Sequence, residues 1–340
     1  MTMATETGAP VDTTKTALQV TDLIKQFGGG RSLLGRPLPA VHAVRGLSFE
    51  VRPGEILGIV GESGCGKSTV ARMLVGLESP TEGRITLREE PLAEPGKPIK
   101  RTVLARKIQY VFQDPISSLN PRKTIREILS APLYYLRGMT ESQRAERLKE
   151  LMAAVNLRPE FLDRYPHEFS GGQAQRIGIA RALAAEPEVL VLDEPVSALD
   201  VSVQAQVLNL LQDLRRQFNL TYVFISHDLG VVRNLCDRVA VMYFGRIVET
   251  GSTRALFDNP QHHYTRLLLD SVPGARDGTL PDEAANAELP DPFHPPTGCA
   301  FAPRCSAASE QCRQSDPELD TRRQDGQQVA CYHPAGESAD

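Results

Sequence analysis

The sequence predicts an α/β fold: a largely parallel sheet flanked by helices, followed by a small cysteine-rich extension. Three observations lead there. Short apolar runs rich in Val and Ile alternate with helical patterns through the middle of the chain, and such alternation builds parallel sheets. A Gly-rich turn joins one of those runs directly to a helical pattern. Of the six cysteines, only Cys65 and Cys236 lie in the body of the chain; Cys299, Cys305, Cys312 and Cys331 crowd its end.

Taken in order, residues 1–15 read as a loose tail. "EILGIV" (55–60) reads as a buried strand and "KSTVARMLVGL" (67–77) as a helix. "PLAEPGKPIK" (91–100) reads as poorly ordered, and "KIQYVF" (107–112) as the next strand. Residues from about 115 to 185 are mostly helical and form a subdomain ending in "GGQAQRIGIARALAAE" (171–186). "EVLVLD" (188–193) and "TYVFIS" (221–226) are strands on either side of a helix over 201–219. All four strands are apolar runs bounded by Gly, Pro or polar residues. In "DRVAVMYFGRIVETG" (237–251) two apolar runs meet at Phe244-Gly245-Arg246, a hairpin pattern. The Gly/Pro/Asp-rich run of 271–296 reads as a linker. It divides a body over 16–270 from an extension over 297–335. No repeat of fixed period is present.

Composition narrows the function. The chain has 340 residues, 41% of them apolar, enough for one large domain or two ordinary ones. A net charge of −4 with no long basic run argues against gripping a nucleic-acid backbone, which needs a concentrated positive face. The first residues lack a basic stretch followed by an apolar one, so no secretory signal is expected. No segment approaches the roughly 18 to 20 apolar residues of a membrane helix. A cytoplasmic chain is expected, one that can still dock on a membrane protein.

"GESGCGKST" (61–69) follows a strand and opens a helix, the context in which G-x-x-x-x-G-K-[ST] binds phosphate. Its glycines let backbone N–H groups face phosphate oxygens, and the helix N-terminus adds positive potential. Lys67 would reach the β- and γ-phosphates, and Ser68 would offer a hydroxyl to Mg²⁺. In "VLVLDEP" (189–195) Asp193 emerges where ligands of α/β sheets sit, placed to hold Mg²⁺, and Glu194 follows as a candidate general base. By themselves two adjacent carboxylates are a solvated strand end; the phosphate loop upstream changes that reading. "FSGGQ" (169–173) opens a long helix and offers a second set of phosphate-directed N–H groups, unless Ser170 is an ordinary cap. "ISHDLG" (225–230) puts His227 at a strand end, where a γ-phosphate would lie.

These motifs together resemble the nucleotide-binding subunit of an ABC transporter over roughly residues 17–270. "GESGCGKST" is similar to Walker A, which implies ATP contacts from Gly61, Ser63, Gly64, Cys65, Gly66, Lys67, Ser68 and Thr69. "FQDP" carries the Q-loop Gln113, "FSGGQ" resembles the signature with Phe169 in place of the usual leucine, and "VLVLDEP" resembles Walker B. "SALD" (197–200), ending in Asp200, resembles the D-loop, and His227 the switch histidine. Phe27 stands where the family places an aromatic that stacks on adenine. The resemblance implies a RecA-like core, an antiparallel β subdomain and a helical signature subdomain. It also implies Mg²⁺ held by Ser68, Gln113 and Asp193, with Glu194, His227 and Gln113 serving hydrolysis. Two subunits would pack head to tail, so that Ser170, Gly171, Gly172 and Gln173 serve the partner's ATP.

"YVFQDPISSLNPR" (110–122), "ALDVSVQAQVLNLL" (198–211), "NPQHHYTRLLLDSVP" (259–273) and "PTGCAFAPRC" (296–305) are closer to the peptide-importer branch. That resemblance implies the second of two non-identical ATPase subunits. The complex would add two transmembrane permeases and an extracytoplasmic peptide-binding protein, with no nucleic acid. The chain would sit at the cytoplasmic face of the inner membrane, its helical region after Gln113 touching a permease.

The four late cysteines are separated by 5, 6 and 18 residues. Four thiolates suit tetrahedral zinc or an iron–sulfur cluster, and spacing does not choose between them. The resemblance implies a [4Fe-4S] cluster, with His294 and His333 as fallback ligands for zinc. Two other functions stay open: import of another cargo, such as nickel, glutathione or an antimicrobial peptide, and a non-transport ABC ATPase acting on DNA.

Overall fold

A computed structural model describes residues 16–30, 38–96, 101–271, 289–321 and 326–335. The expected tail over 1–15 lies outside the described residues, as does most of the expected linker.

The strands are β1 (Leu18–Gly28), β2 (Ala40–Val51), β3 (Ile56–Val60), β4 (Glu82–Leu87), β5 (Glu90–Ala93), β6 (Ile108–Val111), β7 (Val189–Asp193), β8 (Thr221–Ile225), β9 (Arg238–Tyr243), β10 (Arg246–Ser252), β11 (Asp320–Thr321) and β12 (Gln328–Val329). They form two sheets. One is antiparallel, in the order β2-β1-β4-β5; the other runs β11-β12-β10-β9-β3-β8-β7-β6. In the larger sheet β9, β3, β8, β7 and β6 are parallel, and the remaining pairings are antiparallel.

Strands β3, β7 and β8 are buried at every residue, as strands covered on both faces must be. Alternation sorts their side chains. Ile56, Leu190, Leu192, Tyr222 and Phe224 join one core; Leu57, Ile59, Val189, Val191, Val223 and Ile225 join the other. The first core packs under α3 (Ile125–Tyr135), α4 (Glu141–Ala154) and α5 (Gly171–Leu183). The second lies between the sheets and holds α1 (Lys67–Leu74).

Helices α3, α4 and α5 each begin with a reciprocal capping box: Thr124 with Glu127, Thr140 with Gln143, Ser170 with Gln173. Each satisfies two otherwise orphaned backbone donors. Helix α2 (Arg101–Lys107) precedes β6, and α6 (Val201–Phe218) joins β7 to β8. Then come α7 (Leu229–Leu235), α8 (Thr253–Asp258), α9 (His263–Asp270) and α10 (Glu310–Gln314). No helix among the described residues is long and apolar enough to cross a membrane. The β9–β10 hairpin turns through Phe244 and Gly245, both at positive φ (42° and 80°), as a two-residue type I′ turn requires.

Three expectations change. Helix α1 stops at Leu74, short of 77, because the chain turns at Gly76, whose N–H donates to the Met73 carbonyl. Residues 90–93, partly expected as loose, form β5 and extend the antiparallel sheet beside β4. The end of the expected linker is packed: Leu289 rests on the core, and the His42 N–H donates to the Pro292 carbonyl at 3.0 Å. Composition alone misses such contacts, because their partners are distant in sequence. The extension also joins the main sheet. β12 pairs with β10 through Glu249↔Val329 and Thr250↔Gln328.

Candidate functional site

A cavity of about 600 Å³ opens at the C-terminal ends of the parallel strands, where α/β sheets bind ligands. The turn from β3 into α1 forms its floor. Glycine is required at two points of that turn. Gly61 sits at φ +153°, where a Cβ would come 2.1 Å from the Met242 carbonyl oxygen. Gly66 sits at φ +105°, where a Cβ would come 2.4 Å from the Ala43 carbonyl oxygen. Any larger residue would push the loop off the β9–β10 and β2 backbones. Ser63, Gly64, Gly66, Lys67, Ser68 and Thr69 line the cavity. Cys65 points away and is buried, and burial pushes its thiol pKa up.

Lys67 is 6% exposed. Its Nζ donates to the carbonyls of Gly61 (2.7 Å) and Glu62 (2.9 Å), so the ammonium rests on its own loop. Asp193 ends β7 and is also buried. One of its oxygens accepts the Tyr110 hydroxyl at 2.6 Å and the other accepts Ser68 Oγ at 3.4 Å. Burial, then the neighbouring Asp193 charge, push the Tyr110 pKa up, so the phenol keeps its proton and acts as a donor.

Glu194 has φ +48°, a left-handed conformation uncommon for a side chain of this size. Gln113 Nε2 donates to its Oε2 at 2.8 Å. His227 Nδ1 lies 3.1 Å from its Oε1. Strands β6, β7 and β8 are parallel neighbours, so Gln113, Glu194 and His227 leave adjacent strand ends and converge. All three line the cavity. Seven sequence-predicted residues with distinct roles thus meet at one place: Lys67, Ser68, Thr69, Gln113, Asp193, Glu194 and His227.

Other predicted residues lie elsewhere. Ser170, Gly171, Gly172 and Gln173 start α5 and are not among the cavity's lining residues. Ser170 and Gln173 bond to each other's backbone N–H groups. Asp200 is exposed at the start of α6. Phe27 pairs with Val41 across β1 and β2. Val41 lines the cavity but Phe27 does not; its ring lies 4.7 Å from Lys25 Nζ. Tyr110, His42 and Pro292 were not foreseen. Tyr110 looks like an ordinary strand residue, and only the register of β6 on β7 brings it to Asp193. His42 and Pro292 carry no motif.

In the extension, Cys299, Cys305, Cys312 and Cys331 line one small apolar cavity of about 20 Å³, with His262, His263 and His333. Burial pushes the thiols of Cys299 and Cys331 up to about 11, and that of Cys305 upward. Cys312 Sγ lies 3.5 Å from Ser309 Oγ. Among the described residues, no group of three or more His, Cys, Asp or Glu is arranged to hold a metal ion. The donors surround a space; they do not converge on a point. His333 shares this cavity, whereas His294 is exposed and bonds Asp291 at 2.8 Å. Cys236 is buried beneath α7 and lies apart.

The ABC transporter family profile matches residues 44–197, and that of the oligopeptide/dipeptide transporter C-terminal region matches 248–312. The oligopeptide transport ATP-binding protein AppF of Bacillus subtilis is 50% identical over 308 residues, covering 90% of this chain and 94% of its own. The dipeptide transport ATP-binding protein DppF of Escherichia coli is 46% identical over 320 residues, with 93% of each chain covered. Among solved structures, the dimeric post-hydrolysis state of the ATP-binding cassette MJ0796 with ADP and Pi aligns with a TM-score of 0.61 at 28% identity. It covers 70% of this chain and 99% of that one. Shared fold, near-complete coverage and the converging site agree: the chain is an ATPase and belongs to the ATP-binding proteins of the ABC transporter family.

Proposed function

We propose that the chain is the motor subunit of a di- or oligopeptide importer, hydrolysing ATP at the cavity over α1. The observation that carries this is the convergence of Lys67, Ser68, Gln113, Glu194 and His227 on one cavity, with Asp193 behind Ser68 at 3.4 Å. Backbone N–H groups of the loop and the α1 N-terminus bind phosphate. Lys67 leaves the Gly61 and Glu62 carbonyls for the β- and γ-phosphates. Ser68, Asp193 and Gln113 would hold Mg²⁺, which would neutralise phosphate charge. Tyr110 keeps Asp193 oriented. Glu194 polarises the attacking water, and His227 and Gln113 hold that carboxylate in line. His42, Val41 and Pro292 line the same cavity, and Phe27, paired with Val41 across β1 and β2, is the aromatic that stacks on adenine.

The signature residues Ser170, Gly171, Gly172 and Gln173, with Asp200, serve the ATP of a sister subunit. That none of them lines this chain's own cavity supports that reading, as does the dimeric cassette with the same fold. Each ATP then joins two subunits, and hydrolysis loosens them. The helical region after Gln113 transmits this to two permeases at the cytoplasmic face of the inner membrane, and a peptide-binding protein delivers cargo outside. Peptide cargo rests on the printed functions of the relatives and on the match of the C-terminal region. ATP-dependent uptake of a labelled dipeptide by the assembled complex, competed by peptides and not by nickel or glutathione, tests it. Competition by nickel alone would overturn it.

We propose that Cys299, Cys305, Cys312 and Cys331, which line one cavity, would hold a [4Fe-4S] cluster. In such a cluster each iron would take one thiolate. Such a cluster would crosslink a segment with little core of its own. Iron and sulfide in the chain purified without oxygen, lost on replacing any of the four cysteines by Ala, are expected. Stoichiometric zinc without iron would overturn the cluster.

A further inference from the structure

The extension reaches into the phosphate loop. Arg304 has a side chain only 4% exposed. Its Nη1 donates to Glu62 Oε2 at 2.9 Å and its Nη2 to Glu62 Oε1 at 3.0 Å. This is the bidentate fork that makes Arg–carboxylate pairs strong and directional. The guanidinium is wedged between Tyr243 and Phe301, 5.9 and 5.6 Å from the ring centroids. Phe301 packs on Tyr264 at 5.5 Å, and the Tyr264 hydroxyl accepts the Glu62 N–H at 2.8 Å. Both the backbone and the side chain of Glu62 are therefore held from outside the loop, one by α9 and the other by the extension.

Glu62 is an awkward residue for its position. It follows Gly61 in a loop whose task is to receive a polyanion, and its carbonyl already accepts Lys67. An unpaired carboxylate beside that loop would oppose the triphosphate and compete for the lysine. Fully paired, it contributes no net charge and fixes the loop.

We infer that Arg304 is a positioning residue for ATP: by neutralising and orienting Glu62 it sets the charge and shape of the phosphate loop, and so makes the cysteine-rich extension part of the nucleotide site. Arg304 lies in the single turn Ala302–Arg304, between Cys299 and Cys305. The inference does not depend on which metal, if any, those cysteines hold.

The test is ATP kinetics of the full chain in its assembled complex. Arg304→Gln is expected to raise KM for ATP about tenfold with kcat within about twofold, since truncating one partner of a buried charge pair strands the other. Glu62→Gln combined with Arg304→Gln is expected to bring KM back to within about threefold of wild type, because coupled residues are not additive. A merely structural role predicts the opposite order, with the double variant at least as impaired as the single. That order, or an unchanged KM in Arg304→Gln, would overturn the inference. Should Arg304→Gln not assemble, Arg304→Lys keeps the charge and loses the fork. It is expected to raise KM by about threefold, relieved by Glu62→Gln, and a wild-type KM there would also overturn the inference.

Discussion

At the residue scale, the site is a set of charges placed before nucleotide arrives. Lys67 rests on two carbonyls of its own loop and Asp193 on Tyr110 and Ser68. Lys67→Ala is expected to lower ATP affinity at least tenfold, because hydrogen bonds to charged groups are worth about 1.5–3 kcal/mol each. Titration with a fluorescent ATP analogue checks it. Tyr110→Phe removes one neutral donor from a buried carboxylate. It is expected to raise the Mg²⁺ concentration for half-maximal turnover at least about tenfold, from the loss of a bond to a charged group worth about 1.5–3 kcal/mol, with the fold intact by thermal melting. Motif residues were legible because phosphate chemistry fixes both their type and their spacing. Tyr110 was not, because a tyrosine in an apolar run looks like core, and its role depends on a register that sequence does not display. Arg304 was hidden for the same reason: its partner lies 242 residues away.

At the element scale, the buried strands were legible because burial on both faces demands continuous apolar runs. β3, β7 and β8 meet that demand at every residue. The short strands β5 and β12 gave no such signal, since both are defined by the edge they join. β12 is held by more than its ladder. Glu249, fully buried, accepts the N–H groups of Gln261 and His262 at 2.8 Å each, and Gln327 Nε2 as well. One carboxylate thus ties β10, the start of α9 and the extension together. Glu249→Ala is expected to destabilise the chain by about 2–4 kcal/mol, because several buried donors lose their acceptor at once. Denaturant titration checks it, and the extension should become protease-sensitive first. Ser170→Ala is expected to lower stability by about 1 kcal/mol through loss of the α5 cap. In the complex it should also reduce turnover beyond what that loss explains, if the same hydroxyl serves the partner's ATP.

At the scale of the whole molecule, two sheets clasp a phosphate loop while helices on the opposite face reach outward. The composition of 271–296 predicts a linker that divides the body from the extension. In the structure the extension adds β12 to the main sheet and seats Arg304 on Glu62 of the loop, and the end of the linker brings Pro292 to the cavity. The family's motifs announce the motor, but only the folded chain shows that its C-terminal segment pairs Arg304 with Glu62 of the loop. Hydrolysis at Glu194 is the central claim, and the direct measurement is ATP binding and steady-state turnover of Glu194→Gln in the assembled complex. The account predicts retained ATP affinity and turnover reduced by at least about a hundredfold, the usual contribution of a general base. Turnover equal to wild type would contradict it.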